Sequence, residues 1–127
     1  LKGWNICPLV CYDLRFPVWS RNSNNNYDLL LYVANWPAAR QSAWNTLLPA
    51  RAVENLCYTI GVNRCGEDGK GIAYQGDSRI DDYYGNSLLH FGNEESISTI
   101  LLSGEKLMRY RQKFPAHEDA DSFEILD

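Results

Sequence analysis

Two short apolar runs near the start of the chain carry the first structural signal. Ile6-Cys7-Pro8-Leu9-Val10-Cys11 is apolar throughout and too short for a helix, the pattern of a strand buried on both faces. Pro8 lacks an amide donor, which places an edge or an irregularity in that strand. Asp28-Leu29-Leu30-Leu31-Tyr32-Val33-Ala34 reads as a second fully buried strand and stops at Asn35-Trp36-Pro37, where proline ends further pairing. Between the two, Arg21 to Asn26 with Ser-Asn-Asn-Asn at its centre reads as a loop, preceded by a short helix over residues 16 to 22.

From Ser42 onward the period changes. Ala43, Trp44, Leu47, Leu48, Ala52, Val53 and Leu56 fall at helical spacing with Arg51, Glu54 and Asn55 between them, and Pro49 predicts a kink or a late start in that helix. Cys57 to Val62 reads as a third strand, and Gly-Glu-Asp-Gly-Lys-Gly at 66 to 71 as a turn between strands. Residues 72 to 91 predict a hairpin through Asp81 to Asn86, and Ser96 to Leu102 alternates as another strand. Glu105 to Lys113 reads as a closing helix, followed by an acidic, irregular tail from Pro115 to Asp127. Strand, helix and strand followed by hairpins predict a layered α/β architecture.

Composition narrows the class of protein. The 127 residues, 45% hydrophobic, suffice for one core, and 12 basic against 16 acidic residues, scattered along the chain, argue against a nucleic-acid partner. The longest apolar run, Leu29 to Ala34, falls far short of the ~20 residues that span a bilayer, and no charged-then-apolar leader opens the chain. Four cysteines at 7, 11, 57 and 65 match no zinc or disulfide spacing, so reduced thiols in a cytoplasmic protein are expected. With only His90 and His117 available, a metal centre built on imidazole lacks ligands. The chain opens Leu1-Lys2-Gly3-Trp4 and its one methionine is Met108, so residues 1–127 read as a piece cut from within a larger protein.

The segment that points to chemistry is Val10-Cys11-Tyr12-Asp13-Leu14-Arg15-Phe16-Pro17. A thiol at the end of a buried strand, followed by polar residues, stands where α/β scaffolds present a nucleophile on a tight turn with backbone amides aimed at the reacting atom. The plain alternative is a small buried hydrophobe. Cys-Tyr-Asp-Leu-Arg-Phe-Pro at 11 to 17 closely resembles the signature around the catalytic cysteine of the nitrilase superfamily of carbon-nitrogen hydrolases. Further matches follow in the family's order: Ala34-Asn35-Trp36-Pro37, the helix from Leu47 to Asn55, Gly61-Val62-Asn63-Arg64, Gly76-Asp77-Ser78-Arg79-Ile80 and Tyr110-Arg111-x-Lys113-Phe114-Pro115. The Asn-Trp-Pro segment and the tail from Lys113 to Asp121 look most like the omega-amidase branch, which acts on 2-oxoglutaramate and related dicarboxylic acid monoamides.

That resemblance implies the C-terminal half of a single α-β-β-α sandwich domain, assembled as a homodimer or higher oligomer, with a small-molecule amide substrate and no cofactor. It implies a Glu-Lys-Cys mechanism in which Cys11 forms a thioester and ammonia leaves, the oxyanion being held by a lysine and the backbone N–H of Tyr12. The family's glutamate and lysine lie upstream of the cysteine. Only ten residues precede Cys11, with Lys2 but no acidic residue among them, so neither role is assigned and the chain alone is expected to be inactive.

Other candidates have two readings each. Asp13 and Arg15 are expected in a buried ion pair that fixes the turn, the alternative being substrate contact. Asn35 and Trp36 follow the second strand at its carboxyl end, where α/β sheets place ligands, and Trp36 either lines the pocket or packs in the core. Arg40 either meets a substrate carboxylate or lies in solvent. Glu54 either pairs with Arg51 on its own helix or braces the strand carrying Cys11. Two rival functions remain: a Cys11–His90 dyad, and a non-catalytic hydrolase fragment serving as an interaction or assembly module.

Overall fold

The computed structural model describes residues 1–124. Three parallel strands, β1 (Ile6–Val10), β2 (Leu29–Ala34) and β3 (Tyr58–Asn63), are joined on the far side of β3 by an antiparallel hairpin. That hairpin consists of β6 (Arg79–Asp81) and β7 (Ser87–His90), giving the order β1-β2-β3-β6-β7. A separate two-stranded ribbon, β4 (Cys65–Glu67) with β5 (Ala73–Gln75), projects beyond β3, and the Gly-rich turn predicted at 66 to 71 joins its strands. Helix α1 (Gln41–Glu54) forms the crossover from β2 to β3, and α2 (Gly104–Lys113) follows the hairpin, capped by Ser103, whose Oγ accepts from Lys106 N. This is the predicted α/β class.

Alternation along the strands sorts the core into two faces. Leu30, Tyr32 and Ala34 point towards α1 and pack with Leu14, Trp36, Trp44, Leu48 and Cys57. Gly61 permits the close approach of α1 to β3, since a Cβ there would lie 2.4 Å from a Leu48 methyl and 2.7 Å from the Trp44 ring. On the opposite face Leu29, Tyr58, Tyr83 and Leu107 form a smaller cluster under α2. Beyond its reach the sheet is bare: Val10, Val33 and Val62, aligned across the three parallel strands, are 67%, 54% and 46% exposed. The first two strands are therefore fully covered on one face and bare at their carboxyl ends on the other, and β1, carrying Pro8, is an edge strand.

Other elements also depart from the sequence pattern. Helix α1 begins at Gln41, well ahead of Pro49, so there is no late start. Proline leaves the carbonyl four residues earlier without its helical donor, and the Arg79 guanidinium takes that Asn45 oxygen at 3.5 Å. No helix forms over residues 16 to 22. A chain of tight turns runs there instead, and its carbonyls at Pro17 and Ser20 are taken by the hydroxyls of Ser20 and Tyr27. Residues 96 to 102 alternate in sequence but pair with no strand, leaving Ile97 and Leu101 almost fully exposed. In the tail, a single 3-10 turn spans Ala116–Asp119, and residues 125–127 lie outside the described residues. No helix among the described residues is long and apolar enough to cross a membrane.

Candidate active site

Cys11 is the first residue of a 3-10 turn, Cys11–Arg15, that leaves the carboxyl end of β1. Its φ of +43° lies in the left-handed region, which side chains other than glycine seldom occupy without being held there. Two bonds hold this turn. The Asp13 carboxylate accepts from Val10 N at 2.8 Å, closing the turn back onto the strand, and the buried Arg51 of α1 donates to Leu14 O at 2.7 Å. Arg51 is itself oriented by Glu54 at 3.0 Å. Glu54 therefore pairs with Arg51 within its own helix, and it is Arg51, not Glu54, that bonds the turn carrying Cys11.

Cys11 is half-buried at the rim of the α1-side core, and its sulfur lies 4.0 Å from the carbonyl oxygen of Asn35. The N–H of Tyr12 belongs to the first turn, where amides have no carbonyl partner inside the helix, while the Tyr12 ring is exposed and meets Phe16 edge-on. Asp13 and Arg15 form no ion pair. Two residues apart on a tight turn they point in different directions, and the Arg15 guanidinium lies over the Trp36 ring, 5.2 Å from its centroid.

Trp36 is buried. Its indole N–H donates to Arg40 O at 2.7 Å and its ring packs against Trp44, so it builds the wall behind the site. The Asn35 side chain is exposed, and what Asn35 brings to the thiol is its backbone carbonyl. Arg40 is exposed and fastens the loop through its own carbonyl. The β4–β5 ribbon stands beside this edge. Arg64 lies over the Tyr74 ring at 5.0 Å, and the Tyr74 hydroxyl donates to Asp68 at 3.0 Å. N–H groups of Ile72 and Lys70 hold the Asp68 carboxyl below the usual carboxylate range, while burial, then the hydrogen bond to Asp68 and its charge, push the Tyr74 phenol up against the opposing pull of Arg64.

The structure separates His90 from Cys11. β7 is the far edge of the sheet from β1, and His90 Nε2 bonds Asp77 at 3.1 Å, which removes the dyad reading. Two of the other cysteines pack in the core: Cys57 is fully buried and its thiol is pushed up by that burial, as is the thiol of Cys7, whereas Cys65 is half-buried on the β4–β5 ribbon. No group of three or more His, Cys, Asp and Glu side chains capable of holding a metal ion occurs among the described residues. A cavity of about 890 Å³ lies along β3 and β6 beneath the 91–98 segment, and Cys11 is not among the residues that line it.

Sequence reasoning gave no role to Asn63. Its buried side chain joins Trp36 to Gly76, and Ser78 bonds its main chain. Both segments stood out as family-like motifs, but their mutual contact spans 13 residues and left no local signal.

Cys11 thus stands half-buried on a positive-φ turn at the carboxyl edge of the parallel strands of an α/β sheet, and the carbon-nitrogen hydrolase family profile matches residues 1–112. The chain belongs to that family. It is 53% identical over 125 residues to the omega-amidase YafV of Escherichia coli K12, covering 98% of this chain and 48% of that protein. Among solved structures it resembles XC1258 of Xanthomonas campestris, a CN-hydrolase superfamily protein with an arsenic adduct in its active site. That likeness has a TM-score of 0.95 and 47% identity over 98% of this chain and 49% of that one. A mutant of the amidase from Nesterenkonia sp. AN1, with acrylamide added at its active-site cysteine, superposes with a TM-score of 0.74 at 29% identity, covering 93% of this chain and 46% of that one. The chain spans about half the length of these relatives.

Proposed function

We propose that the protein containing this chain is an omega-amidase, hydrolysing the terminal amide of a short dicarboxylic acid monoamide with Cys11 as nucleophile. The observation that carries the reading is the placement of Cys11: left-handed φ at the end of β1, the residue half-buried, and the Asn35 carbonyl 4.0 Å from its sulfur. The similarity to YafV supplies the substrate class. A base takes the thiol proton, Sγ bonds the amide carbon, and the carbonyl electron pair becomes an oxyanion held in part by Tyr12 N–H. Collapse breaks the C–N bond and expels ammonia, which carries away the proton the thiol gave up. Water then hydrolyses the thioester, releasing the carboxylic acid and restoring the thiol.

The base and the second oxyanion donor come, in this reading, from the part of the protein outside these 127 residues. That part also covers the bare valine row, completing the α-β-β-α sandwich, and a homodimer, read by sedimentation, belongs to the same proposal. Mass spectrometry of the complete protein trapped with substrate is expected to find the acyl adduct on Cys11. An adduct on Cys57, or ammonia release undiminished in Cys11→Ala, overturns the proposal. The 127-residue chain alone is expected to release no ammonia.

A further inference from the structure

Asn63 closes β3, level with Ala34 on β2, and is buried. All of its side-chain polar atoms are committed. Oδ1 accepts from Trp36 N at 2.7 Å, while Nδ2 donates to Trp36 O at 3.2 Å and to Gly76 O at 2.8 Å. Its main chain is clamped too, its N–H donating to Ser78 Oγ at 2.9 Å and its carbonyl accepting the Ser78 hydroxyl at 3.2 Å. Gly76 is fitted to this arrangement: its φ is +66°, and a Cβ there would lie 2.7 Å from Gly92 O.

One side chain thus continues the β2–β3 ladder two residues beyond the end of β2, holding both main-chain polar groups of Trp36. The consequence passes through a single rigid unit. The N–H that Asn63 holds and the Asn35 carbonyl belong to the same planar peptide, in which the two groups point in opposite directions. Pinning Trp36 N–H towards β3 therefore aims Asn35 C=O back towards β1, where it meets Cys11 Sγ at 4.0 Å.

We propose that Asn63 is a positioning residue for amide hydrolysis: it aims the Asn35 carbonyl at the amino group of the scissile amide, which donates an N–H to it while Cys11 attacks. The inference rests on the reading of Cys11 as nucleophile. In the resting site the thiol is the donor to that carbonyl; once its proton has passed to the base, the acceptor is free. An amide nitrogen brings hydrogens that can occupy it, whereas an ester oxygen brings none. The arrangement therefore favours amides over esters of the same acid and keeps nitrogen oriented as the C–N bond breaks.

The test compares kcat/KM, which reports acylation, for a short dicarboxylic acid monoamide and for the monomethyl ester of the same acid, using the complete protein. Asn63→Ala is expected to lower the amide value by about a hundredfold, the scale of a misplaced reacting group, and the ester value by no more than about threefold. Equal losses on both substrates assign Asn63 a merely structural role and overturn the proposal, as does no loss on either. Should Asn63→Ala fail to fold, Ser78→Ala loosens the same clamp while leaving the side chain in place. It is expected to give the same selective loss at about tenfold, and an unchanged amide-to-ester ratio overturns the proposal there too. Cys11→Ala separates the two failures: activity surviving in it sinks the nucleophile reading and this inference with it. An inactive Cys11→Ala beside an unchanged ratio sinks only the role of Asn63.

Discussion

A residue held at φ +43° without being glycine costs about 1–3 kcal/mol, so the turn at Cys11 persists only because its neighbours impose it. Arg51 is the deepest of them, nearly buried and bonded to Leu14 O. Arg51→Met is expected to leave that carbonyl buried and unpartnered and to destabilise the protein by about 2–3 kcal/mol in urea unfolding. Glu54→Gln, at a partly exposed position and leaving the Leu14 bond intact, is expected to cost under about 1 kcal/mol. Equal losses from the two variants would show that the ion pair, rather than the carbonyl bond, holds the turn. Cys11 was legible because a whole motif surrounds it. The pairing of Asp13 with Arg15 was misread because nearness in sequence does not bring side chains two apart together, and each found a partner elsewhere: the Val10 amide and the Trp36 ring. Asn63 was illegible for the opposite reason, its partner Trp36 being 27 residues away.

At the scale of elements, hydrophobic period placed β2, β3 and α2 to within a residue or so, because their buried faces are written locally. Residues 96 to 102 show the limit of that logic: alternation describes a strand's faces, whereas a strand exists only beside a partner, and none is there. The sequence also hid how α1 accommodates Pro49, by lending the freed Asn45 carbonyl to Arg79 of β6. Arg79 is at the same time bidentate to Asp81, with Nε at 3.0 and 2.9 Å from its two oxygens, and Asp81 is fully buried. Burial raises the Asp81 pKa above its usual 3.8, and Arg79 opposes that rise. A carboxyl with a raised folded pKa holds its proton longer in the folded state, so its contribution to stability is greatest in acid and is lost as pH rises through the folded value. Arg79→Ala removes the opposing charge and pushes that value higher still. The deficit relative to the parent is expected to be smaller in acid, where Asp81 is protonated, and to grow to about 3–5 kcal/mol at neutral pH as a buried carboxylate is left unpaired. Urea midpoints measured from acidic to neutral pH would show it, and a deficit independent of pH would assign the loss to Asn45 and packing instead.

The sheet face opposite α1 is apolar and only partly covered by the described residues, α2 packing over Leu29 and Tyr58 but not over the row nearest the carboxyl ends of the parallel strands. Val10, Val33 and Val62 form one row across β1, β2 and β3, and Pro8, Leu31, Ile60, Ile80 and Leu89 align in the next. Period and composition therefore predict strands buried on both sides, whereas the described residues bury one side and only part of the other. The mismatch is the pattern expected where the covering layer lies elsewhere, and relatives twice as long supply the length for one. Contiguous exposed apolar surface of this kind drives association. The isolated chain is accordingly expected to self-associate and to bind an apolar dye, and Val33→Lys, in the central strand of the row, to shift it towards monomer in sedimentation. In the complete protein the same substitution is expected to reverse its effect. A lysine driven between two packed sheets loses its hydration without gaining a partner, at a cost of about 3 kcal/mol or more of stability. A neutral Val33→Lys in the complete protein would mean that the row stays in water there too.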